Sequence, residues 1–313
     1  KMIEKNKISK LSIKNLQSIK DLTVQDIENI INTAKLFKNN NKEQNKSIPI
    51  LSGRTIINLF FEPSTRTLIS FEIAAKRLGA DIINMNIEGS SLRKGETLSD
   101  TADTLNSMNP DLVIIRHSIS GAINEISSRL KCPIISAGEG SIEHPTQALL
   151  DAFTIQDKGK NFKDIVVSIC GDIEHSRVAR SNYYLLKKMG AKIRFVAPEY
   201  FMPKNIQDFD VEYFDNLEKG IDASDVVMML RIQKERIDNT ELPSVDDYYQ
   251  SFGLTYEKLK KAKNNVIVMH PGPINRNIEI ESSLADDLSK SVINEQVENG
   301  VSVRMACLAM MVE

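Results

Sequence analysis

The sequence predicts an α/β protein of two doubly wound, parallel-sheet domains joined by interdomain helices. Three observations predict it. The chain has 313 residues, enough for two domains at ~150 residues each. Short runs over residues 55–60, 81–85, 112–115, 133–136, 165–170, 191–197, 211–214, 226–230 and 266–269 are apolar without alternation, as expected of strands covered on both faces. Between them lie helical patterns: Leu68, Phe71, Ala75 and Leu78, then Leu98, Ala102 and Leu105, recur at spacings of three and four, which puts each set on one helix face. Strands alternating with helices favour parallel sheets with right-handed crossovers.

The runs divide around the apolar-faced stretch 144–157, which reads as a connecting helix. Residues 1–143 then form a first domain and 144–290 a second. The tail, about 291–313, carries no strand and reads as a helix; periodicity leaves open whether it packs on the second domain or returns to the first. The stretches 39–47 and 233–249 are polar and loop-like, and the second is long enough to suggest a functional loop.

Composition narrows the function. Hydrophobic residues make up 41% and charged residues 26%, ordinary for a soluble globular chain. Forty basic and 42 acidic residues leave a formal charge of −2, so the bulk cationic field of a nucleic-acid binder is missing. The lysine-rich start, 1–20, reads as a solvated face. No apolar run approaches the ~20 residues that span a bilayer, and the opening Lys1-Met2-Ile3-Glu4-Lys5 has no run of signal type. Cys132, Cys170 and Cys307 are far apart, which fits a reduced compartment, and with four histidines they offer no metal-ligand spacing. Gly171-Asp172-Ile173 lacks the second and third glycines of a dinucleotide fingerprint. The expectation is a cytoplasmic protein with no metal, no cofactor, no nucleic acid and no membrane partner.

The chemistry begins at Phe60-Phe61-Glu62-Pro63-Ser64-Thr65-Arg66-Thr67, where a strand gives way to an amphipathic helix. A helix start exposes unpaired N–H groups and the equivalent of about half a positive charge. Ser64 or Thr65 could simply cap it. Arg66, however, opposes the dipole there and is unfavourable unless it serves an anion, for which phosphate is the obvious candidate. Arg116 and Arg231 close strands and Arg177 follows one; ligands of open parallel sheets sit beyond such carboxyl ends.

A series of patterns in order along the chain resembles the carbamoyltransferase family. They are Ser64-Thr65-Arg66-Thr67, Lys94-Gly95-Glu96-Thr97, Arg116-His117, His144-Pro145-Thr146-Gln147, Gly171-Asp172 running to Arg177, Arg231-Ile232-Gln233-Lys234-Glu235-Arg236, and His270-Pro271-Gly272-Pro273. The resemblance implies transfer of a carbamoyl group from carbamoyl phosphate to an amino acid. It makes 1–143 the carbamoyl-phosphate domain and 144–290 the acceptor domain. Ser64, Thr65, Arg66 and Thr67 would hold the phosphate end, and Arg116 and His144, with Thr67, the carbonyl oxygen. Gln147 and the backbone at Pro271 and Gly272 would meet the carbamoyl nitrogen. Arg177, Arg231, Gln233 and Lys94 would hold the acceptor. Arg66, Thr67, Lys94, Arg116 and His144 form the expected catalytic set, and the leaving phosphate would take the amine proton. Lys94 and Ser90 (Ser91 if one gap is allowed) would reach a neighbouring subunit's site, implying a homotrimer. Glu62, Arg177 and Arg236 resemble a set that bridges the domains on closure, Arg304 matches a position near the site, and His117 reads as structural.

Charge argues for L-aspartate as acceptor. Arg66, Lys94, Arg116, Arg177 and Arg231 would meet roughly four negative charges on the two substrates, and such charge-assisted pairs contribute ~1.5–3 kcal/mol each. Ornithine would need an acid for its ammonium group. Its relatives in the family typically show His-Pro-Cys-Gln and His-Cys-Leu-Pro where this chain has His144-Pro145-Thr146-Gln147 and His270-Pro271-Gly272-Pro273. The product would be N-carbamoyl-L-aspartate, early in pyrimidine biosynthesis. The alternatives are a carbamoyltransferase for another amino acid, a non-catalytic anion-binding paralogue, and, as an outsider, a secreted solute-binding protein. A regulatory chain or a dihydroorotase as partner stays open at the level of sequence.

Overall fold

The computed structural model describes residues 3–85, 95–232 and 242–313. The chain divides into two compact units, one of Lys1–Phe153 with Val297–Glu313, the other of Thr154–Gln296.

In the first unit β1 (Thr55–Phe60), β2 (Asp81–Met85), β3 (Leu112–His117) and β4 (Ile134–Glu139) form a parallel sheet in the order β2-β1-β3-β4. The described helices are α1 (Val24–Asn40), α2 (Thr65–Arg77), α3 (Leu98–Met108), α4 (Ala122–Ser127) and the first part of α5 (Pro145–Asp157). Ile57, Leu59, Val113, Ile115 and Ile134 of the strands pack with Ala102 and Leu105 of α3 and Ile123 and Ile126 of α4 in one buried cluster. Of the predicted α2 face Phe71, Ala75 and Leu78 are buried and Leu68 partly so, and Phe71 at 0% exposure contributes about 1.5–3 kcal/mol on its own. The run at 133–136 extends to Glu139, and Arg116 and His117 lie inside β3.

The second unit holds β5 (Val166–Cys170), β6 (Lys192–Val196), β7 (Glu212–Phe214), β8 (Val226–Met229) and β9 (Ile267–Met269), a five-stranded parallel sheet in the order β7-β6-β5-β8-β9. Its further described helices are α6 (Arg177–Met189), α7 (Leu217–Ile221), α8 (Val245–Phe252), α9 (Tyr256–Leu259) and α10 (Ser282–Asp286). The last helix, α11 (Ile293–Met311), starts in the second unit and has Val297 onwards in the first, and α5 crosses the division at Phe153. Residues Val303 to Val312 of the tail are all buried, which is why they lack a polar face to read.

Two expectations change. The end of the long loop, 245–249, is helix and runs on to Phe252 as α8: Ser244 and Asp247 form a reciprocal capping box, and Tyr248 and Phe252, four residues apart, are buried. The lysine-rich start is only partly a solvated face. Lys7, Lys10, Lys14 and Lys20 are exposed, but Leu16 pairs with Ile135 at the β4 edge and Leu16 and Ile19 are fully buried.

Candidate active site

Strand order locates the sites. In each sheet the chain winds outward from one strand and then restarts on that strand's other side: between β1 and β3 in the first unit, between β5 and β8 in the second. A crevice opens at the carboxyl ends of the strands at such a switch point.

In the first unit this edge carries the predicted anion-binding residues. β1 leads into Glu62 and Ser64, and α2 begins at Thr65. Ser64 stands at the N-cap in extended conformation, yet its hydroxyl makes no cap hydrogen bond. Thr23, Thr97 and Ser176, by contrast, accept a backbone N–H at the starts of α1, α3 and α6. The first turn of α2 holds no acid, Arg66 is exposed and Thr67 is buried. The simple capping reading of Ser64 therefore fails, and the amides of this turn receive no side-chain cap from it.

Arg116 is paired in register with Phe60 across the switch point. It is 9% exposed, its Nη1 donates to Ala137 O at 2.9 Å, and its Nε lies 3.2 Å from Glu62 Oε2. The planar guanidinium reaches both from two different nitrogens held in one rigid fork. Beside it, His117 is structural: Nδ1 accepts from Ile119 N–H at 3.0 Å, its ring lies 4.8 Å from that of Phe61, and burial lowers its pKa.

Beyond β4, buried His144 directly precedes Pro145, the first residue of α5, and Gln147 is buried in the first turn. Gln147 Nε2 donates to Asp151 Oδ1 at 3.0 Å. A carboxylate only accepts, so the amide is oriented with its carbonyl Oε1 turned away from Asp151. Sequence reading missed Asp151, although its place one helical turn after Gln147 was a signal.

Arg304 of α11 lies over the Phe71 ring at 5.1 Å and donates to Ser70 Oγ at 3.0 Å and Thr146 Oγ1 at 3.3 Å. It thus ties α2 to the first turn of α5. Its pKa is pushed down to about 10, chiefly by burial, with Cys307 and Asp151 opposing the fall and the Arg116 charge adding to it.

In the second unit the corresponding edge carries Arg177, the first residue of α6 and half-buried, and Arg231, exposed just after β8. Cys170 and Met229 are paired in register below them. Gly171 has φ +125°, and a Cβ there would lie 3.2 Å from Leu230 Cβ, so glycine lets the two strand ends approach. Buried Asp172 accepts from His175 N–H at 3.2 Å and lies 2.8 Å from its Nδ1. Pro271 and Gly272 follow β9 at the same edge, Gly272 with φ +70°. Ser90, Ser91, Lys94, Gln233 and Arg236 lie outside the described residues, so the expected closure set is represented by Glu62 and Arg177 alone.

Two family models cover most of the chain. The carbamoyl-P binding domain of the aspartate/ornithine carbamoyltransferases matches residues 14–157, and their Asp/Orn binding domain matches residues 163–311. The chain belongs to the aspartate/ornithine carbamoyltransferase family. Among the carbamoyltransferases it is similar to, the aspartate carbamoyltransferase catalytic subunit of Pelagibacter ubique (strain HTCC1062) is 54% identical over 308 residues, 98% of each chain. The aspartate transcarbamoylase of Trypanosoma cruzi, solved with carbamoyl phosphate and aspartate, superposes with a TM-score of 0.87 at 30% identity over 100% of both chains. An ornithine carbamoyltransferase from Pyrococcus furiosus reaches the same TM-score, 0.87, at 28% identity, covering 97% of this chain and 99% of its own. The carbamoyltransferase fold alone therefore does not fix the acceptor.

Proposed function

We infer that the chain transfers the carbamoyl group of carbamoyl phosphate to the amine of L-aspartate, giving N-carbamoyl-L-aspartate and phosphate, a step of pyrimidine biosynthesis. The observation that carries the acceptor is the pair of guanidiniums, Arg177 and Arg231, at the switch point of the second sheet. They suit two carboxylates, and among the described residues buried Asp172, which follows Gly171 at the same edge, is engaged by His175. The 54% identity to a subunit named for aspartate supports the same choice.

The residues divide the work as follows. The α2 amides with Ser64, Thr65, Arg66 and Thr67 hold the phosphate end. Arg116, His144 and Thr67 donate to the carbonyl oxygen. Gln147, whose Oε1 is left as an acceptor by Asp151, takes an N–H of the carbamoyl group, as do the backbone carbonyls of Pro271 and Gly272. The aspartate amine attacks the carbonyl carbon, the C–N bond forms, and the oxygen gains charge that the three donors stabilise. The bond to the phosphate oxygen then breaks, and the departing phosphate accepts the amine proton. The working form in this reading is a cytoplasmic homotrimer, in which Ser90 and Lys94 of one copy complete the site of the next; the Lys94-Gly95-Glu96-Thr97 pattern supports it.

The test is direct. Purified protein given carbamoyl phosphate is expected to form ureido product with L-aspartate and not with L-ornithine; product with ornithine alone overturns the acceptor, and none with either overturns the enzyme. Ser64→Ala gives a finer check. Because its hydroxyl caps nothing, stability should fall by less than the ~1 kcal/mol that a lost cap costs. The KM for carbamoyl phosphate should nevertheless rise. Thermal unfolding and initial rates measure the two; a large loss of stability with unchanged KM would restore the capping reading.

A further inference from the structure

The second unit contains a buried acid that the reaction above does not use. Glu279 and His270 are 0% and 1% exposed. Glu279 Oε1 lies 2.9 Å from His270 Nε2 and accepts the Asn275 backbone N–H at 2.7 Å. The other ring nitrogen decides the tautomer. His270 Nδ1 accepts the Gly272 N–H at 2.8 Å, and an amide N–H can only donate, so the ring proton sits on Nε2 and is given to Glu279. His270 is anchored from behind as well, its own N–H donating to Gln296 Oε1 at 3.0 Å.

This arrangement aims two groups. The peptide between Pro271 and Gly272 is planar, so drawing its N–H toward His270 turns the Pro271 carbonyl the opposite way. That carbonyl is one of those assigned to the carbamoyl nitrogen. The second leg runs through Asn275, whose Nδ2 donates to Ile232 O at 2.7 Å and so fixes the backbone one residue after Arg231. Both legs end on the same carboxylate oxygen. Glu279 Oε2, also buried, has no hydrogen-bond partner among the described residues.

We propose that Glu279 is a positioning residue for carbamoyl transfer. Through His270 it sets the Pro271 carbonyl, and through Asn275 it sets the backbone that carries Arg231. The proposal rests on the carbamoyltransferase reading above. It requires an acceptor at Oε1 rather than a charge, and that separates it from a general role in folding.

Three variants test it, with steady-state kinetics in both substrates and thermal unfolding on each. Glu279→Leu orphans one buried and one half-buried donor and frees the turn, and kcat should fall at least about tenfold, since misplacement of under an ångström is costly at a reacting centre. Glu279→Gln keeps the acceptor and should restore kcat to within about threefold of the parent. Asn275→Ala removes the half-buried leg to Ile232 and should raise the aspartate KM about three- to tenfold while the carbamoyl phosphate KM stays put. A folded Glu279→Leu with parental kcat and both KM values overturns the proposal. So does a glutamine variant as damaged as the leucine one. Should Glu279→Leu fail to fold, an unchanged aspartate KM in Asn275→Ala overturns it instead. An inactive parent enzyme sinks the carbamoyltransferase reading itself and is seen before any variant is made.

Discussion

Arg116→Ala is expected to lower kcat by about 10²–10³-fold, the usual cost of losing one donor to a developing oxyanion. The KM for carbamoyl phosphate should rise as well, because the same group binds the ground-state carbonyl. The residue is 9% exposed and bonded to Ala137 O and Glu62, so its removal also leaves a carbonyl and a carboxylate without their cation. Thermal unfolding must therefore accompany the kinetics, and rates are to be compared per folded molecule. Arg116→Lys keeps the charge and loses the planar fork that serves both partners at once; it should recover only part of the loss. Turnover that survives Arg116→Ala in folded protein removes the oxyanion donor from the mechanism.

Arg231→Ala should act on the other substrate. One charge-assisted pair of ~1.5–3 kcal/mol corresponds to a rise of about 10- to 150-fold in the aspartate KM. Initial rates against aspartate at saturating carbamoyl phosphate measure it. The KM for carbamoyl phosphate should barely move, and neither should thermal stability, because Arg231 is exposed while Leu230 and Ile232 on either side are buried. An unaltered aspartate KM would take the carboxylate away from this guanidinium, and with it the main support for the acceptor.

Much of this was legible in the sequence because the central strands β1, β3, β5 and β8 are buried apolar runs, while the edge strand β2, although largely exposed, still carries Ile82, Ile83 and Met85. The runs at 55–60 and 81–85 are β1 and β2 to the residue, and the remaining strands differ from their runs by one to three residues at an end. Arg66, Arg116 and Arg231 were visible because a cation at a helix start or strand end needs a reason. Helix α8 was hidden by its charged stretch, although the Ser244-to-Asp247 spacing and the Tyr248/Phe252 pair marked it. Leu16 could not be read, since it gains its partner from Ile135, far along the chain. Asp151 and Glu279 illustrate the deeper limit. Each acts on a neighbour whose role is itself known only from its place at the site, and the link between Glu279 and Ile232, through Asn275, joins stretches that no local period connects.

The return of Val297–Glu313 to the first unit has a consequence for biosynthesis. As the polypeptide leaves the ribosome, 154–296 emerge as one uninterrupted stretch and can close their own sheet. The amino-terminal unit must wait for its last piece, including Arg304, which fastens Ser70 to Thr146. A chain released at Gln296 would thus carry a finished carboxyl-half fold and an amino-terminal half still lacking its final helix.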